Sequence, residues 1–137
     1  MHIRNKIPLY LLVSLALLLG ACVPAGSADP LAGSQWRLLE IDREDYSQYN
    51  ITLAFDDEAG ATGSGGCNSY GGAYEVDGSN GKLQFSEITS TLMACADEGV
   101  TNAESAYFQA LNSVGEYALG NGQLTLLGDH TLLFAGQ

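Results

Sequence analysis

The sequence has 137 residues, with 16 Asp and Glu against five Lys and Arg, which gives a formal net charge of −11 at pH 7. A chain this acidic repels nucleic acids and anionic lipid head groups, so the composition argues against nucleic-acid binding. It suits high solubility or a basic partner. The length corresponds to one domain with a modest hydrophobic core.

The N-terminus has the pattern of a secretory signal. Two basic residues precede an apolar run from Ile7 to Leu19, which is short for a transmembrane helix of about 20 residues. The run ends in "LLGAC", which resembles the bacterial lipobox, in which the cysteine becomes the lipidated first residue of the mature chain. The sequence therefore predicts a lipoprotein signal peptide at 1–21 and a membrane anchor through lipid at Cys22.

This anchor would place the protein in the cell envelope. Val23 rather than Asp follows the cysteine, which resembles the outer-membrane sorting pattern and predicts an outer-membrane lipoprotein facing the periplasm if the host is Gram-negative. Residues 22–33 are small and contain Pro and Gly, as is typical of a flexible tether, and residues 34–137 would form the domain. The mature chain would carry three Lys and Arg against sixteen Asp and Glu, a balance of 3 − 16 = −13.

Short segments of the predicted domain alternate between apolar and polar residues. Such alternation with a period of two is typical of half-buried strands, and Gly, Asn and Asp fill the connections between them. We expect strands at "QWRLLEI", "ITLAF", "GAYEV", "KLQF", "QLTL" and "TLLF", and about eight short strands in all. The inward side chains would be Ile51, Leu53, Phe55, Leu83, Phe85, Leu124, Leu126, Leu132 and Phe134.

One segment has a helical period instead. Apolar residues recur at intervals of three and four from Ala103 to Val114. Thr101 and Glu104 have the spacing of a capping box before this helix, and Gly115 has the position of a C-terminal stop. The predicted fold is therefore α+β and mostly β: a small barrel-like antiparallel sheet of about eight short strands with one covering α-helix.

The glycine-rich stretch "TGSGGCNSYGGAY" from Thr62 to Tyr74 has four interpretations. A phosphate-binding loop would need a Lys-Ser/Thr pair and a following helix, which are missing. A nucleophilic Cys67 would need a base, and nothing places His130, the only histidine after the signal peptide, beside it. A metal site would need more ligands, and Asp56 to Glu58 lacks the spacing of a calcium loop.

The fourth interpretation is structural, and the residues favour it. Glycines permit close backbone approach and positive φ, and the envelope is an oxidising compartment. Cys67 and Cys95 are the two cysteines left after Cys22, so we expect them to form a disulfide. The tyrosines of this region suit core packing better than a small catalytic cavity.

These segments together resemble the META domain of the heat-shock-associated HslJ lipoproteins. The resemblance rests on "GSGGCNSYGGAYEVDG", "LQF" and "TSTLMAC", preceded by "WRLLEI" and followed by a helix of the "E-x-x-Y-F-x-A-L" type. It covers about residues 34–136. It implies a small barrel-like fold, an envelope lipoprotein linked to heat shock and novobiocin tolerance, and no established enzymatic activity, catalytic residue or cofactor. Leu92 stands where the family often has a basic residue.

Two functional hypotheses follow. The first is a non-enzymatic envelope lipoprotein in stress tolerance, and the alternative is an acidic inhibitor or binding module for a basic partner such as a lysozyme or a secreted protease. The motif residues that we single out as a candidate interaction surface are Gly66, Asn68, Tyr70, Thr91 and Met93.

Overall fold

The computed structural model describes residues 28–137. The predicted signal peptide and the lipidation site at Cys22 lie outside the described residues. Nine strands, one α-helix and one short 3₁₀ helix follow one another in the order β1 (Gln35–Ile41), β2 (Glu44–Asp45), the 3₁₀ helix (Ser47–Tyr49), β3 (Thr52–Phe55), β4 (Gly60–Ser64), β5 (Ser69–Asp77), β6 (Lys82–Ser90), α1 (Glu98–Asn112), β7 (Glu116–Gly120), β8 (Gln123–Leu127) and β9 (Thr131–Gly136).

The strands form one antiparallel sheet that closes into a ring. From β3 to β9 each strand pairs with the next in sequence, and β1 completes the ring by pairing with β3 on one side and β9 on the other. The two-residue β2 lies beside β1 outside the ring. Pairing is thinnest between β6 and β7, which share only the pair Lys82 and Glu116. The predicted mostly-β fold with one helix is confirmed, and β2 raises the strand count to nine.

The core lies inside this ring. The alternating residues predicted to face inward are buried, except Phe85, which is half-buried. Helix α1 adds Ala103, Tyr107, Ala110 and Leu111 to the same core. The Tyr107 ring packs edge-on against Phe134 of β9, with 6.4 Å between ring centroids. The helix therefore shares one continuous core with the strands.

The helix begins earlier than the sequence predicts. Asp97 is its N-cap, and the Asp97 carboxylate accepts hydrogen bonds from the backbone N–H groups of Gly99 and Val100. The predicted capping box of Thr101 and Glu104 is therefore wrong, because both residues lie inside the helix. The predicted stop at Gly115 is also wrong: α1 ends at Asn112, with a C-cap at Ser113. Nowhere in residues 28–137 is there a helix long and apolar enough to cross a membrane.

Packing against the core begins before residue 34, the predicted start of the domain. Leu31 is fully buried, and the Asp29 carboxylate accepts hydrogen bonds from the Leu31 backbone N–H and from the Tyr74 hydroxyl. The end of the segment predicted as a tether is thus fixed to the sheet from Asp29 onward.

Candidate functional site

The glycine-rich stretch forms β4, a four-residue turn and the start of β5. The turn runs from residue 65 to residue 68 and is closed by a hydrogen bond from the Gly65 N–H to the Asn68 carbonyl, 2.8 Å long. Gly66 has a φ of 111°, a conformation that other residues rarely adopt. In β4, a Cβ atom at Gly63 would lie 2.1 Å from the Thr52 carbonyl oxygen, so only glycine fits there. Gly63 therefore serves close packing, and Gly66 serves the backbone conformation of the turn.

Asn68 and Glu104 make the central contact of this region. Both side chains are buried, with 6% and 8% of their surface exposed. The Asn68 backbone N–H donates to Glu104 Oε2 at 2.7 Å, and Asn68 Nδ2 donates to Glu104 Oε1 at 2.6 Å. The Cys67 N–H donates to the same Oε2 at 3.2 Å. One carboxylate from α1 thus satisfies three donors of the turn between β4 and β5.

The other end of the Asn68 amide holds the segment after β6. Asn68 Oδ1 accepts hydrogen bonds from Thr91 Oγ1 at 2.8 Å and from the Met93 backbone N–H at 2.7 Å. A disulfide between Cys67 and Cys95, with Cα atoms 6.0 Å apart, makes a second connection between the same two segments. The predicted pairing of these cysteines is therefore present in the structure.

The segment fixed in this way exposes apolar side chains. We call residues 91–96 the 91–96 loop. Leu92 and Met93 have 96% and 59% of their surface exposed, although the backbone around them is held by Asn68 and Cys95. This arrangement presents two apolar side chains on an ordered support.

We call residues 65–68 the Gly-Cys-Asn turn. This turn and the 91–96 loop belong to the two sequence blocks that carried the family resemblance, and the contacts between them join them into one structural unit. A family model described as the META domain matches residues 29–137. The chain belongs to the META domain family. The match starts at Asp29, where packing against the sheet also begins. No curated protein matches the chain.

Solved structures have the same fold. An NMR structure of a protein from Burkholderia xenovorans is 27% identical, with a TM-score of 0.64, over 78% of this chain and 83% of that chain. A DUF4847 family protein from Bacteroides vulgatus is 16% identical, with a TM-score of 0.58, over 77% of this chain and 93% of that chain. At that identity it shows the fold alone.

The predicted site residues of the META domain divide into buried and exposed ones. Asn68, Thr91 and Met93 come together, and Gly66 lies in the turn beside them. Tyr70 is buried, so its side chain belongs to the core and not to a surface. Of the five residues, only Thr91 and Met93 are exposed.

Tyr70 instead forms a buried pair with Tyr107. The Tyr70 hydroxyl donates to the Thr52 carbonyl at 2.8 Å, so the 2.6 Å contact between the hydroxyls has Tyr107 as its donor. Burial raises the pKa of Tyr70 and the pKa of Tyr107 well above the usual value of a phenol. Both phenols are therefore neutral in the folded domain.

Glu104 is the site residue that sequence reasoning missed. Its spacing from Thr101 suggested a helix cap, and its actual partners lie 36 and 37 positions earlier in the chain. The "E-x-x-Y-F-x-A-L" pattern contains Glu104, but the pattern alone does not show what the carboxylate binds.

Polar groups also meet at the turn between β1 and β2. His130 Nδ1 lies 2.7 Å from Asp42 Oδ2, and both side chains are about half exposed. The Thr131 backbone N–H and the His130 side chain, in that order of effect, lower the pKa of Asp42. A cleft of about 350 Å³ lies beside them. Within residues 28–137, no three His, Cys, Asp or Glu side chains are grouped to hold a metal ion.

Proposed function

We propose that this META domain protein is a membrane-anchored lipoprotein of the cell envelope that acts by binding and not by catalysis. In this proposal it contributes to tolerance of envelope stress, such as heat or novobiocin-like compounds. The lipobox-like "LLGAC" supports the anchor at Cys22. The family resemblance supports the stress role.

One observation carries the choice of binding over catalysis. The two functional side chains of the Gly-Cys-Asn turn are both occupied by other groups of the chain: Cys67 by Cys95, and Asn68 by Glu104, Thr91 and Met93. A nucleophile or a general base needs a free reactive atom facing a substrate. This turn has the role of a support, and the most exposed large side chains beside it, Leu92 and Met93, are apolar.

A deletion strain tests the stress role. We expect the strain to lose tolerance of heat and novobiocin, and the wild-type gene to restore it. The Cys22→Ala variant should fail to incorporate labelled palmitate and should restore tolerance poorly, because the domain is released from the membrane. Unchanged tolerance in the deletion strain would count against the stress role, and palmitate incorporation by Cys22→Ala would count against the anchor.

The alternative is an acidic inhibitor or binding module for a basic partner such as a lysozyme or a secreted protease. The charge favours it: Arg37, Arg43 and Lys82 are the only Lys and Arg after the signal peptide, against sixteen acidic residues. Charge complementarity of this kind speeds association. Immobilised protein should retain a cationic lysozyme at low salt and release it at high salt. No retention at low salt would contradict this alternative.

A further inference from the structure

The 91–96 loop carries the most exposed apolar side chains of the described residues. Four large apolar residues are exposed in residues 28–137: Leu92, Met93, Leu119 and Leu127. Single exposed apolar side chains are ordinary on protein surfaces. Leu92 and Met93 differ because they are adjacent in the chain and both more exposed than the other two, at 96% and 59% against 43% and 36%.

The backbone of this loop is fixed on both sides of the pair. Before and within the pair, Asn68 Oδ1 accepts hydrogen bonds from the Thr91 hydroxyl and the Met93 backbone N–H. After the pair, Cys95 is bonded to Cys67 through the disulfide. After Cys95 the chain continues to Asp97, the N-cap of α1. A loop held in this way loses little conformational freedom when it binds, which favours affinity. Leu92 is therefore exposed on a loop whose backbone is already fixed before a partner binds.

The charge around the loop selects the class of partner. Glu87 lies before the loop in β6, Asp97 and Glu98 follow it, and all three side chains are exposed. The sequence has no Lys or Arg from residue 83 to residue 137. A second copy of this chain or an anionic lipid surface would bring more negative charge to this surface, whereas a basic protein would complement it.

The loop also lies far from the point where the chain enters the domain. Ala28 and Pro30 lie beside Gly78, in the turn between β5 and β6. The 91–96 loop follows the opposite end of β6, which is roughly 26 Å away at about 3.3 Å per residue. The loop can therefore reach a partner without interference from the N-terminal attachment.

We propose that Leu92 and Met93 form the apolar centre of a docking surface for a basic protein, with the surrounding carboxylates facing Lys and Arg side chains at the rim of an apolar pocket on that partner. This proposal rests on the proposed function only in that the domain acts by binding. It names the surface and the chemistry of its partner.

Photo-crosslinking in the producing cells tests this surface. A photo-crosslinking amino acid replaces the exposed Ala94, so that Leu92 and Met93 stay intact. The double variant L92S/M93S removes the apolar centre, and L119S/L127S is the matched control on another surface. Thermal unfolding of each variant confirms that the fold is retained. We expect an adduct with a basic protein that is lost in L92S/M93S and retained in L119S/L127S.

Affinity for the purified partner gives the second readout. Because burial of a leucine side chain is lost, L92S/M93S should bind about 10- to 100-fold more weakly. An adduct with a second copy, with lipid or with an acidic protein would overturn the proposal. So would an adduct that is insensitive to L92S/M93S, or no adduct at position 94.

The deletion strain separates the two proposals. A missing adduct together with a clear stress phenotype overturns only the docking surface. A specific adduct without any stress phenotype overturns the stress role and leaves the docking surface standing.

Discussion

Glu104 is the single side chain on which the Gly-Cys-Asn turn most depends. Its carboxylate accepts three N–H donors from Cys67 and Asn68, and it is almost wholly buried. Glu104→Gln keeps the shape of the side chain but replaces one acceptor oxygen with an NH₂ group. At least one buried donor then faces another donor, so we expect the free energy of unfolding to fall by about 2–3 kcal/mol. Urea unfolding at neutral pH measures this change.

Glu75→Gln is the matched control for that variant. Glu75 is exposed on β5, and surface substitutions of this kind change stability by less than about 0.5 kcal/mol. An equal effect of the two substitutions would mean that the buried contacts of Glu104 contribute little.

The buried tyrosine pair makes stability dependent on alkaline pH. Because burial raises the pKa of Tyr70 and the pKa of Tyr107, the folded domain keeps protons that the unfolded chain releases near pH 10. The resulting stabilisation is fully present below about pH 10 and is lost as the pH rises above it. In a spectroscopic titration, these two phenols should ionise only as the protein unfolds. Tyr107→Phe should remove one phenol from that late step, and smooth ionisation of all tyrosines in the folded protein would contradict this assignment.

At the scale of elements, the glycines of β4 and β5 have different roles. A Cβ at Gly63 would lie 2.1 Å from the Thr52 carbonyl oxygen, whereas a Cβ at Gly71 would have its nearest neighbour at 3.7 Å. Gly63→Ala forces β3 and β4 apart and should destabilise by about 1–3 kcal/mol or more. Gly71→Ala should be neutral, or stabilising by roughly 0.5 kcal/mol. Thermal unfolding of the two variants gives the comparison, and similar melting temperatures would show that β4 can shift freely.

The elements also show which parts of the fold the sequence could predict. β3, β8 and β9 have alternating apolar residues, and they lie where the alternation indicates. β4 was missed because its sequence, "GATGS", has no large side chain to alternate. The turn before β2 was missed for another reason. Asp42 and Arg43 both have positive φ without being glycine, and the Asp42 carboxylate accepts from the Thr131 N–H, 89 residues away.

In the candidate site, too, the sequence could not predict the contacts that join distant parts of the chain. The pairing of Cys67 with Cys95 could be predicted, because these are the two cysteines that remain after Cys22 and the expected compartment is oxidising. The contact of Asn68 with Glu104 spans 36 residues and depends on how the helix packs on the ring. Exposure of Leu92 was equally hidden, because an apolar residue in an irregular segment is as compatible with a core as with a surface.

At the scale of the whole molecule, the disulfide ties the sheet to the segment that leads into the helix. The cysteines are 28 residues apart, and closing a loop of that length stabilises by about 3.5 kcal/mol in the chain-entropy model. The double variant C67A/C95A should therefore unfold at a clearly lower urea concentration than the native protein. A reducing agent should lower the midpoint of the native protein and leave that of the variant unchanged. An unchanged midpoint on reduction would show that Asn68 and Glu104 hold the unit alone.

The ring is completed by the first and last long strands of the domain, since β1 pairs with β9 over five residue pairs. During synthesis β1 leaves the ribosome long before β9, so it has no partner on that side until β9 has also been made. A chain that stops short of Thr131 leaves two strand edges open, on β1 and on β8, and open edges invite pairing with other chains. Late nonsense mutations should consequently yield aggregates rather than shortened but folded domains.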